Sequence, residues 1–107
     1  MTAGEARYAI ALMFEWRGGC LWPRNDAAYE RFELGPLEDD LPLSPETAAR
    51  LEELSERHDS SLDWTYPPGP SPWSAEDFEA FDSEVEELLA RIRSDLGAEF
   101  SVVYERL

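Results

Sequence analysis

The stretch Tyr8–Trp16 reads "YAIALMFEW". Tyr8, Ile10, Leu12, Phe14 and Trp16 fall on every second position, and Ala9, Ala11, Met13 and Glu15 lie between them. A period of two places all the large side chains on one face, the signature of a strand lying on a core. The opposite face is small and mostly apolar. Gly18-Gly19 then interrupts the strand. A second alternating run, "EFSVVYE", closes the chain with Phe100, Val102 and Tyr104 on one face. Two strands cannot stand alone in water, so the two ends of the chain are expected to pair.

Between them the pattern becomes helical. Asn25 or Asp26 can cap a short helix running to Phe32, ended by Gly35-Pro36. "LEDDLPL" reads as a loop with an acidic centre. In "SPETAARLEELSERH", Ser44 is a good N-cap and Pro45 suits the first helical position, where its missing N–H would have no partner. Ala48, Leu51, Leu54 and His58 form the expected inward stripe, and Glu46–Arg50 and Glu53–Arg57 are i,i+4 pairs. A longer helix follows Ser74, which with Asp77 makes a capping box. Phe78, Phe81, Val85, Leu88, Leu89, Ile92 and Leu96 hold helical spacing, and Gly97 is the natural stop. The fold class is therefore α+β. One domain over residues 1–107 has a two- or three-stranded sheet formed by the chain termini, backed by two main helices. "LDWTY" is a candidate third, edge strand.

The segment joining the two helices is "LDWTYPPGPSPW", Leu62–Trp73. Pro67-Pro68 and Pro70 favour a stiff, polyproline-like path. Trp73 stands just before Ser74, where a hydrophobic staple to Phe78 forms. Trp64 and Tyr66 are expected to pack over the open end of the core. Trp and Tyr are also the usual anchors of protein interfaces, so a binding surface is the second reading of the segment, behind the structural one.

The formal net charge is −15 in 107 residues. It is uneven: residues 1–37 hold five acids and four arginines, whereas residues 38–99 hold eighteen acids and four arginines. Such a field excludes ordinary nucleic-acid binding and disfavours anionic membrane surfaces. It steers basic partners inward. Cys20 is the only cysteine, so an intrachain disulfide is impossible. The N-terminal apolar run lacks a signal-peptide pattern, which makes a cytoplasmic protein the default expectation.

Catalytic chemistry has little to stand on. Cys20 and His58 are the only candidates for a thiol–imidazole pair, and no signature surrounds them. Glu38-Asp39-Asp40, or His58-Asp59 with Asp63, could be metal ligands only by proximity, since no EF-hand, HExxH or CxxC spacing occurs. With twenty-four acids, closeness of two carboxylates carries no information about glycoside chemistry. Neither a catalytic residue, a metal site nor a cofactor is expected.

Leu21-Trp22-Pro23 with Asn25-Asp26, Leu43-Ser44-Pro45, Trp64 through Pro68 with Trp73, and Leu96-Gly97 resemble a group of small, acidic, uncharacterised proteins from high-GC bacteria. By size, acidity and lack of catalytic motifs the chain is more loosely similar to toxin-immunity proteins. That likeness implies a non-enzymatic module that masks a basic protein surface. Trp64, Tyr66 and Trp73 would be its anchors, and Glu79 and Glu86 would belong to its steering face. The alternatives are a small-ligand or enzymatic domain with an aromatic pocket near Trp16, Trp22 and Trp64 in which Cys20 or an acid acts, and an accessory subunit forming a homodimer through an edge strand.

Overall fold

The computed structural model describes residues 6–32 and 36–106. Strand β1 (Tyr8–Leu12) is followed by β2 (Leu21–Pro23), helices α1 (Asp26–Phe32), α2 (Pro45–Asp59) and α3 (Ala75–Leu96), and strand β3 (Phe100–Tyr104). The sheet order is β2-β1-β3. The terminal strands pair as expected, and they do so in parallel, with Tyr8 opposite Phe100 and Leu12 opposite Tyr104. The third strand is β2, antiparallel to β1 with Leu12 opposite Leu21. "LDWTY" forms no strand, because its residues wind through turns after α2.

The alternation in β1 is the alternation of the core. Tyr8, Ile10, Leu12 and Phe14 are buried together with Leu21 and Val102 on the same face. Helix α3 lays Phe81, Val85, Leu88, Leu89, Ile92 and Leu96 on that face. Phe78, expected in the same stripe, is 40% exposed, because the stripe runs past the sheet before reaching the first turn of the helix. In α2 the buried residues are Thr47, Leu51 and Leu54, while Ala48 faces solvent. Leu37 and Leu41, in the acidic loop, also enter the core. Loop residues have no periodicity, so nothing in the pattern announced them.

Caps and stops follow the sequence. Asn25 Oδ1 accepts the Ala28 N–H at 3.0 Å and opens α1. Gly35, the expected end of that helix, lies outside the described residues. Ser44 Oγ caps α2, with Pro45 next. Ser74 and Asp77 form the reciprocal box at the start of α3. Gly97 stops α3 at φ 81°, a left-handed conformation that disfavours any side chain.

The arginines of α2 do not make the within-helix pairs expected of them. Arg50 and Arg57 both reach across to Glu84 of α3, and Arg50 also meets Glu53 at 2.5 Å. These two guanidinium groups hold the Glu84 carboxyl below its ordinary range. Arg93 donates from Nε and Nη2 to the Val102 carbonyl at 3.0 and 2.6 Å. It thereby occupies part of the outer edge of β3, a common protection of an exposed strand.

Candidate functional site

A hollow of about 430 Å³ runs along the middle turns of α2, from Ala48 to Glu56. Glu38, Asp39, Glu52 and Glu56 stand around it, over apolar walls from Leu43 and Leu51. Glu38 is held by the backbone: its Oε1 accepts the N–H groups of Cys20 and Leu21 at 2.9 and 2.6 Å. Cys20 is buried in this wall. Burial, reinforced by the Glu38 and Asp59 charges against a weaker hydrogen bond from Ser55, pushes its thiol up to about 12. The thiolate needed for nucleophilic attack is therefore scarce at neutral pH. Among the described residues, no group of three or more His, Cys, Asp or Glu is arranged to hold a metal ion.

A smaller hollow, about 250 Å³, lies where the C-terminus of α2 meets the start of α3. His58 is its hub. Its ring stacks on Trp16 at 5.4 Å and 15°, and touches Phe14, Phe81 and Trp73. Burial lowers its pKa from the ordinary 6.5, against the opposing charge of Asp59. Its Nδ1 is buried without a hydrogen-bond partner among the described groups. Near the C-terminus of α2 a protonated His58 would be favoured by the helix dipole, and desolvation outweighs that attraction.

The predicted binding residues fall into two sets. Trp73, Trp64 and Tyr66 lie at this aromatic end. Trp73 is half-buried and staples to Phe78 at 5.1 Å, as its position before the N-cap implied. Its indole N–H donates to Ser60 Oγ at 3.0 Å. Trp64 is 40% exposed and Tyr66 63%, so neither closes the core. Trp64 donates to the Asp59 carbonyl at 2.7 Å, and the Arg17 guanidinium lies 3.8 Å above its ring. The linker itself is not extended. Asp63 Oδ1 accepts from Thr65 and Tyr66, and Gly69 N–H returns to the Tyr66 carbonyl at 2.9 Å, giving two successive turns. Asp63 has three local donors to satisfy it, and these outweigh the extended preference of the prolines. Glu79 and Glu86 are exposed on α3, apart from the aromatic end's rings.

The pocket imagined around Trp16, Trp22, Trp64 and Cys20 is not assembled. Trp22 lies opposite Ala11 on the other sheet face and donates to the Met13 carbonyl, while Cys20 belongs to the acidic hollow. Arg17, by contrast, carried no sequence signal. It stands at φ 57°, its N–H held by Asp59 Oδ1 at 2.7 Å, and so ties the β1–β2 hairpin to the end of α2.

Residues 8–106 match the model of the Serratia CdiI immunity protein-like family. The chain belongs to that family. No curated protein matches it significantly. The expected loose likeness to toxin-immunity proteins is thus supported by a match over residues 8–106. Among the described residues, no helix is long and apolar enough to cross a membrane.

Proposed function

We propose that this protein is an immunity protein that neutralises a basic toxin domain by binding it, without a catalytic step of its own. The observation that carries the reading is membership of the immunity protein-like family across residues 8–106. The net charge of −15 supplies the chemistry of the partner, since a field of that size attracts cationic surfaces over a Debye length. The outer face of α3, with Glu79 and Glu86, steers the approach. Trp64 and Tyr66 present rigid aromatic area, the type of side chain that dominates interface energetics. Trp73 acts behind them as a support. A protonated, buried Cys20 fits a binding role better than a nucleophilic one.

The test is co-expression with each candidate toxin domain encoded in the same genome. Cells carrying the chain and one of these domains should survive, and the two purified proteins should associate faster at low salt than at high salt. Death of the co-expressing cells in every case, with no complex formed at low salt, would sink the proposal.

A further inference from the structure

The exposed large apolar side chains are not scattered. Of the six among the described residues, four lie at the end where α2 meets α3: Trp16, Trp64, Tyr66 and Phe78. Trp16 and Phe78, 39% and 40% exposed, line the 250 Å³ hollow, and the buried rings of Phe14 and Phe81 contribute to its lining. An apolar cavity of about 150 Å³ takes up a benzene ring, so this hollow has room for one aromatic or branched aliphatic side chain.

Both exposed walls are held before any partner arrives. Trp16 is stacked on His58, and its indole N–H is satisfied by Ser61 Oγ at 2.9 Å. Phe78 rests on Trp73, whose own N–H is satisfied by Ser60. The Tyr104 hydroxyl is engaged by Asp82 at 2.9 Å. The hollow therefore offers mainly ring faces, already ordered, and its occupant loses little by being apolar. The two charged residues that line it, Glu105 and Arg106, are paired with Arg24 and Asp82. In the segments that supply its walls, Asp59 follows His58 and Asp77 precedes Phe78, and neither carboxylate forms an ion pair among the described residues, in a chain of net charge −15. An apolar side chain flanked by basic residues is complementary to that arrangement.

We infer that the hollow between Trp16 and Phe78 is the central docking pocket for the toxin domain, receiving one apolar side chain of a basic surface. This rests on the immunity reading above and adds Trp16 and Phe78 to the binding face. The acidic hollow along the middle of α2 offers carboxylates that solvent satisfies equally well, and it contributes long-range attraction.

The experiment uses the full chain and the purified toxin domain that the co-expression test identifies. Phe78→Asp leaves the field at least as negative but places a carboxylate in the pocket mouth. Its dissociation constant should rise about thirtyfold or more, the scale of a central interface residue. Most of that change should lie in the off-rate, and Phe78→Leu should bind nearly as wild type. Hydrogen exchange on the wild-type complex should show new protection in residues 14–17 and 75–81, a readout that stands even where a variant fails to fold. Unchanged affinity in a folded Phe78→Asp, or protection confined to residues 45–56, overturns the pocket and leaves the immunity reading intact. Absence of binding by the wild-type chain overturns both.

Discussion

The contact between α3 and the sheet and the end where α2 meets α3 are both rich in large apolar side chains, yet they are held by different forces. Leu88, Ile92 and Val85 are almost wholly buried against β1 and β3, and hydrophobic transfer stabilises them. Trp16, Trp64 and Trp73 keep part of their rings in solvent, and each is pinned by its indole N–H to Ser61, Asp59 and Ser60 respectively. A ring fixed by one hydrogen bond contributes little to folding but is ordered for binding. The first region should therefore govern stability and the second should govern association.

The largest test of this contrast is Leu88→Ala. Leu88 is 1% exposed, and its truncation leaves a cavity, so the loss should be on the order of 2–5 kcal/mol in chemical denaturation. An unchanged midpoint would show that α3 does not pack as described. At the other region, Trp64→Ala should lower stability by only about 1 kcal/mol, from one exposed hydrogen bond and one cation–π contact. Melting and toxin-binding kinetics measured on the same sample should show a small thermal shift and a raised off-rate. A large thermal shift with wild-type kinetics would make the linker a lid on the core.

A pH titration sharpens the comparison further. Burial holds His58 below its ordinary 6.5 in the folded chain, so the unfolded chain takes up this proton first. The His58 contribution is complete above about pH 6.5 and is lost as pH falls through the lowered folded value. The melting temperature should drop as pH falls below about 6.5, before most carboxylates titrate, and His58→Phe should flatten that slope. An identical slope in the variant would remove His58 from the aromatic hub.

The smallest effect on folding should come from Glu79→Arg with Glu86→Arg. Both positions are exposed, and stability should stay within about 0.5 kcal/mol. The on-rate for the toxin domain should nevertheless fall and depend less on salt, because the Debye length shortens from about 30 Å at 0.01 M to about 8 Å at 0.15 M. Stopped-flow association at those two ionic strengths checks it.

By itself the sequence determined whatever depends on local period and local caps. The two terminal strands, the helices after Ser44 and Ser74, the stop at Gly97 and the Trp73–Phe78 staple are all interactions between near neighbours in the chain, and each was legible. Composition likewise set the sign of the field. Tertiary structure alone decided that the terminal strands run parallel, that Leu21–Pro23 is the third strand, and that Arg50 and Arg57 converge on Glu84. It also decided that His58, Trp16 and Phe78 meet around one hollow, although they come from three separate segments. The physical reason is the same in each case. Short-range periodicity records which face of an element is buried, but which distant side chain fills the space opposite depends on how the elements pack, and no local pattern encodes that partner.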